Sequence, residues 1–194
     1  ASLYCYKNCL KTLNTSKNNN LTQLDCSENL LTTLNISNNP NLTSLRCSEN
    51  KLTMLNVANN SNLSSLICDS NKLLKLDISK LPNLFLLSCV KNQLTTLDVS
   101  NNIELSYLSC SDNNLTTLDT SKNLNLTGLQ CQNNNLSALD VSNNSKLTHL
   151  KCQNCSLAYI NLVNNPNLKN DPAFNVILTG NTYRASFNSA RQLD

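Results

Sequence analysis

Glycine is almost missing from this chain, which has only Gly128 and Gly180 among its 194 residues. A phosphate-cradling loop or a dinucleotide-binding turn needs clustered glycines, so neither is encoded. Tryptophan is absent and His149 is the single histidine. There is no H-E-x-x-H and no G-x-S-x-G, so the common hydrolytic sites have no residues to build on. His149 falls on an outward position while the nearby thiol of Cys152 points inward, which sets the two apart as a catalytic pair. The chain is expected not to be an enzyme and to need no cofactor.

Charge is sparse as well. Charged residues make up 14% of the chain and the net charge is +3. Lys7, Arg46, Lys91 and Lys151 are interspersed with Asp25, Glu28, Glu49 and Asp69, so no basic stripe forms and nucleic acid is not an expected partner. The sequence has no signal peptide, no membrane-length apolar run and no amphipathic or polybasic segment, and direct membrane insertion is not expected.

What the chain does have is a repeat. A partial first rung at 1–20 is followed by seven full rungs of 21 residues, starting at Leu21, Leu42, Leu63, Leu84, Leu105, Leu126 and Leu147. Three residues after each opening leucine comes another, Leu24 to Leu150. Two residues later comes a cysteine, Cys5, Cys26, Cys47, Cys68, Cys89, Cys110, Cys131 or Cys152, and then an asparagine, Asn8 to Asn134. A unit this short cannot bury its apolar face alone, so it must stack, and a solenoid follows. In L-T-S-L-R-C, Leu45 and Cys47 alternate with Ser44, Arg46 and Ser48, the period of a strand. The second half of a rung, such as L-T-T-L-D-V-S-N-N-I, is too short and too rich in Asn for a helix, so a second extended stack or tight turns are expected there. Eight rungs at roughly 4.8 Å each give a rod of about 40 Å.

The recurring L-x-x-L-x-C-x-x-N-x-L-x-x-L-D-V-S-x-N over residues 1–167 resembles the leucine-rich repeat family, with Cys in the third apolar slot. It is closer still to internalin J-like repeats of Listeria and to the surface repeats of Bacteroidetes. The resemblance implies an all-β-type solenoid of eight rungs with parallel strands and no convex α-helices. It also implies a secreted or cell-surface bacterial protein, with adhesion or host interaction as its role.

Ten cysteines in one chain would suggest a disulfide framework, but eight recur every 21 residues in an inward slot. Their parallel Cβ vectors suit a bond poorly, so buried thiols are expected, with Cys9 and Cys155 outside the series. The Asn columns are expected to bond turn carbonyls and to take up the left-handed backbone that glycine would otherwise supply. Asp77, Asp98, Asp119 and Asp140 share a slot with Asn14, Asn35, Asn56 and Asn161, so backbone capping is expected and no metal. Asn-x-Ser/Thr sequons at Asn20, Asn41, Asn62 and Asn125 would crowd glycans along the turns, which favours a bacterial source.

Residues 168–194 break the period. Phe174, Val176 and Leu178, the Thr179-Gly180-Asn181 turn signal, then Tyr183 and Phe187 read as a C-terminal cap, in hairpin form, on a solenoid of residues 1–167. The first strand lacks a cap of its own, which suggests a mature or excised domain with a missing N-terminal neighbour.

The candidate site is the strand face. Ile67, Phe85, Leu86, Val90 and Tyr107 are apolar outward residues on three consecutive rungs of a polar face, and Tyr4 and Tyr6 lie nearer the N-terminus. Arg46, Asp69, Lys91, His149 and Lys151 would form a polar rim. The function expected from this face is protein or glycan recognition by a monomer. Two alternatives remain: a structural spacer between other domains, and ice binding through Thr32, Thr33, Thr53, Thr95, Thr96, Thr116 and Thr117, an array interrupted by Met54, Leu74 and Lys75.

Overall fold

A computed structural model describes residues 1–169 and the backbone of 184–186. Each rung opens with a three-residue strand: β1 Ser2–Tyr4, β2 Gln23–Asp25, β3 Ser44–Arg46, β4 Ser65–Ile67, β5 Leu86–Ser88, β6 Tyr107–Ser109 and β7 Gly128–Gln130. On the opposite side lie β8 Ala138–Asp140, β10 Tyr159–Asn161 and β11 Arg184–Ser186, while β9 His149–Lys151 closes the first series. β1 to β7 and β9 form one parallel sheet in rung order, and β11, β10 and β8 form a second. The register is strict: Leu24, Leu45, Leu66, Leu87, Leu108, Leu129 and Leu150 are successive partners. A shift by one residue would turn every leucine to solvent, so burial itself fixes the pairing.

The core runs the length of the stack. The leucine columns and the cysteines from Cys26 to Cys152 are buried in it. No disulfide links the ten cysteines. Several thiols instead donate to the carbonyl of the next rung, as Cys26 Sγ does to Arg46 O at 3.6 Å and Cys68 Sγ to Ser88 O at 3.4 Å. Burial pushes the Cys26 and Cys110 thiols up to about 12, so the ladder stays protonated and inert.

Two asparagine ladders tie rung to rung. In the first, Asn50 Nδ2 donates to Cys26 O at 3.0 Å and to Cys47 O at 3.2 Å, and its Oδ1 accepts the Leu31 amide at 2.9 Å. The pattern repeats at Asn71, Asn92, Asn113 and Asn134. Cys155 occupies the next place in this column and imitates the amide, its Sγ donating to Cys131 O at 3.1 Å. In the second ladder, Asn102 Nδ2 donates to Ile78 O and Leu81 O, and Asn39, Asn60, Asn123, Asn144 and Asn165 repeat it with carbonyls 24 and 21 residues back. Buried carbonyls that a turn would leave unsatisfied are thus answered by side chains.

The left-handed backbone lies elsewhere than the sequence suggests. Lys7, Glu28, Glu49, Ser70, Lys91, Asp112, Asn133 and Asn154 have φ between 51° and 56°, and each directly precedes the ladder position. The ladder asparagines keep negative φ and act through their amides. Their carbonyl bonds hold the preceding turn so firmly that Lys and Glu accept a conformation costing roughly 1–2 kcal/mol.

The convex side is mostly turns, and no α-helix occurs among the described residues; Pro166–Lys169 forms a single 3₁₀ turn. The Asn14 and Asp77 columns cap these turns as expected, each Oδ1 accepting the amide two residues on, at 3.0 Å in Asn14–Ser16 and in Asp77–Ser79. Of the cap, only the strand Arg184–Ser186, parallel to β10, is described; Phe174, Val176, Leu178, the Thr179-Gly180-Asn181 turn, Tyr183 and Phe187 lie outside the described residues.

Candidate recognition surface on the strand sheet

Four outward columns run along the first sheet, and each is defined by its neighbours in the stack. The column entering the strands is a ladder of hydroxyls: Thr43 Oγ1 donates to Thr22 O, Ser64 Oγ to Thr43 O, Thr127 Oγ1 to Ser106 O and Thr148 Oγ1 to Thr127 O, all at 3.1 to 3.2 Å. Phe85 interrupts it with an aromatic ring that is 55% exposed. A phenyl ring there cannot bond the rung below, so it adds nothing to the stack that a threonine would not.

The next column reads Ser65, Leu86, Tyr107, Gly128 and His149, each paired with the one before. Leu86 and Tyr107 are therefore direct neighbours, and Phe85 precedes Leu86 in the chain. Gly128 explains the posture of Tyr107: a Cβ there would lie 2.6 Å from the ring's Cδ2 and 2.8 Å from its Cε2. The Cδ2–Cε2 edge of the ring occupies the space a side chain would take on the next rung, and only glycine leaves it free. Burial, with a smaller contribution from the Asp69 carboxylate, raises the Tyr107 phenol above its ordinary range.

Arg46 and Ile67 are partners in the third column, followed by Ser88, Ser109, Gln130 and Lys151. In the fourth, Asp69 is held in place: its Oδ1 accepts from Ser88 Oγ at 2.7 Å and from the Val90 amide at 2.8 Å, and its own amide donates to Ser48 Oγ. Ile67, Leu86, Val90 and Tyr107 are half-buried, because strands less than 5 Å apart shade one another's side chains.

The structure thus joins Ile67, Phe85, Leu86, Val90 and Tyr107 in one patch over β4 to β6, with Arg46 at its near edge. His149 and Lys151 are set apart on β9. His149 is two rungs from Tyr107, about 10 Å, with Gly128 between, and its Nδ1 lies 2.8 Å from Thr148 Oγ1. Sequence reasoning missed the Tyr107–Gly128 pair, although one of only two glycines standing in an outward strand slot was a signal. On the other side of the rod, Met54 and Leu74 are 77% and 58% exposed and break the threonine array.

Comparison with solved structures places this architecture. The functional domain of internalin J from Listeria monocytogenes, which includes a cysteine ladder, is 35% identical over the whole of this chain, with a TM-score of 0.76. This chain is a leucine-rich repeat solenoid. A leucine-rich repeat protein of Leptospira interrogans is 26% identical with a TM-score of 0.80, over 94% of the chain. The leucine-rich effector protein YopM of Yersinia pestis is 29% identical over 72% of the chain, with a TM-score of 0.61. The chain spans 45%, 50% and 40% of these three structures. No family model and no curated protein matches it. Among the described residues no group of three or more His, Cys, Asp or Glu side chains could hold a metal, and no helix is long and apolar enough to cross a membrane.

Proposed function

We infer that this solenoid is a non-enzymatic recognition module, secreted or displayed on a bacterial surface, that binds a protein partner through its strand sheet in adhesion or host interaction. Ile67, Phe85, Leu86, Val90 and Tyr107 form the contact centre, Arg46 its near edge, and His149 and Lys151 a more distant polar margin. The observation that carries the reading is Phe85. In a column where every other rung beyond the first keeps a hydroxyl that can serve the stack, this one presents an aromatic ring to solvent beside a second ring whose edge fills the space over Gly128. Partly sheltered aromatic anchors clustered with apolar neighbours are the residue types enriched at binding hot spots. The solenoid neighbours support a protein-interaction role of this general kind.

The test is capture from candidate cell-surface or host extract by the parent chain, by a Phe85→Ser/Tyr107→Ser double variant, and by a Met54→Ser/Leu74→Ser control on the opposite side. Capture by the parent and the control with loss in the double variant is expected. Equal capture by all three, or none, removes the patch and leaves the spacer reading, which the hydroxyl-rich remainder of the sheet would suit.

A further inference from the structure

A second site lies on the same sheet at β1 to β3, two rungs from Phe85, and meets the edge of that patch at Arg46. Tyr4, Tyr6, Gln23, Asp25, Ser44 and Arg46 line an open groove of about 570 Å³. That volume falls in the range of roughly 300–1,000 Å³ typical of small-ligand sites. Tyr4 and Tyr6, both in its lining, are 60% and 50% exposed.

The polar groups are arranged with specific valences left over. Gln23 Oε1 accepts from Tyr4 Oη and, at 3.5 Å, from Ser2 Oγ, so the amide has its NH₂ to offer a ligand. Asp25 spends Oδ1 on the Ser27 amide at 3.1 Å, which leaves Oδ2 as an acceptor. Arg46 is the register partner of Asp25, yet among the described residues the two make no ion pair, and no other carboxylate reaches the exposed guanidinium. An unspent cation and a carboxylate project from register partners on adjacent strands, in a groove also lined by Tyr4 and Tyr6.

We propose that this groove binds a carboxylated saccharide, with Arg46 taking the sugar carboxylate, Asp25 and Gln23 its hydroxyls, and Tyr4 and Tyr6 its less polar C–H face. Each part of that ligand answers a group on the wall. The guanidinium fork matches a carboxylate bidentately. Asp25 Oδ2 needs donors, which sugar hydroxyls supply and an acidic peptide side chain does not. The electron-rich ring faces accept C–H bonds that carry slight positive charge. The anion-binding and hydroxyl-binding residues come from adjacent strands and line one groove, which lets a single short saccharide meet both.

The experiment is a titration of the full chain with a glucuronate-containing disaccharide, with its methyl ester, and with a capped tripeptide containing one glutamate, followed by ligand-observed NMR. Parent, Arg46→Gln, Tyr6→Leu and Phe85→Ser chains are compared, each with its folding checked by circular dichroism. The expected result is saturable binding of the disaccharide by the parent and by Phe85→Ser. Binding should weaken at least tenfold for the ester and for Arg46→Gln, and severalfold for Tyr6→Leu. Absence of binding to the parent, equal affinity for acid and ester, equal or tighter binding of the tripeptide, or loss in Phe85→Ser would each overturn the proposal. Tyr6→Leu touches only the groove and the Phe85→Ser/Tyr107→Ser pair only the patch, so failure here leaves the Phe85 patch standing, and failure of the patch leaves the groove.

Discussion

The oxygen atoms of the second asparagine ladder show how one methyl-for-hydroxyl exchange is felt. Asn39 Oδ1 accepts from Thr15 Oγ1 at 2.7 Å and Asn144 Oδ1 from Thr120 Oγ1 at 2.8 Å. Asn60, Asn102, Asn123 and Asn165 have no partner for Oδ1 among the described residues, and the residue 24 places back is Ile36, Ile78, Val99 and Val141 respectively. The donor is missing wherever an aliphatic side chain fills the threonine slot. Thr120→Val should therefore cost about 1–2 kcal/mol by stranding a buried acceptor. Val99→Thr, which would normally bury an unpaired hydroxyl at similar cost, should be close to neutral because Asn123 Oδ1 receives it. Urea midpoints of the two variants check both, and equal losses would refute the pairing. Gly128 offers a second residue-scale test. In Gly128→Ala the new methyl meets the Tyr107 ring at 2.6 Å, so the ring must swing off the sheet. Burial is the main cause of the raised Tyr107 phenol, so its titration should move down toward the ordinary tyrosine value. NMR of the ring across alkaline pH reads the shift.

At the scale of the rung, the first asparagine ladder outweighs any single leucine contact in specificity. Asn71 donates to Cys47 O, Cys68 O and Asp69 O and accepts from the Leu52 amide, all in or near the core. Asn71→Ala should cost about 3–5 kcal/mol, since four backbone groups lose a partner at once. Asn8 makes the two bonds to its own turn on an exposed end, and Asn8→Ala should cost under about 1 kcal/mol. Chemical denaturation of the pair tests the gradient. The aspartate column adds a pH dependence of known sign. The Ser79 hydroxyl and amide hold Asp77 below the usual carboxylate range, and Ser100 and Ser121 do the same for Asp98 and Asp119. A carboxylate lowered in the folded state contributes stability above its unfolded value, near pH 4, and loses it as pH falls through the folded value. Replacing all three by Asn, the residue that fills this slot at Asn35 and Asn56, should flatten the fall in melting temperature between pH 5 and pH 2 while leaving pH 7 little changed. The rung was largely legible in the sequence because its period fixes which residues stack: the leucine columns, inward thiols and Asp caps all follow from spacing. The left-handed column was not, since Lys7, Glu28 and Glu49 have no preference for positive φ and adopt it because their ladder neighbours hold the turn. The posture of Tyr107 also escaped, because it depends on a residue 21 positions away.

For the whole molecule, stacking without long-range closure makes stability close to one-dimensional, each rung supported by the two beside it. The cysteine ladder then becomes a reporter of where the rod opens. Cys9 is exposed, Cys5 half-buried, and Cys47, Cys68 and Cys89 are buried at mid-rod with their thiols pushed well above the ordinary range by burial. A thiol in that state does not alkylate until its rung opens, because the thiolate is the nucleophile. Pulsed alkylation of the native 194-residue chain should therefore label Cys9 at once, Cys5 next, and then Cys26 ahead of Cys47. Cys68 should be reached only at rates set by global opening, since partial openings spread from the ends. Asn71→Ala should break this order by speeding Cys47 and Cys68 together while leaving Cys9 unchanged, because the lost bonds join the rungs that carry those thiols. Peptide mass analysis of the labelled sites reads the sequence of events directly. Simultaneous labelling of all buried cysteines in the parent would mean that the solenoid opens as one cooperative unit, in which case the Asn71 variant should accelerate every site equally.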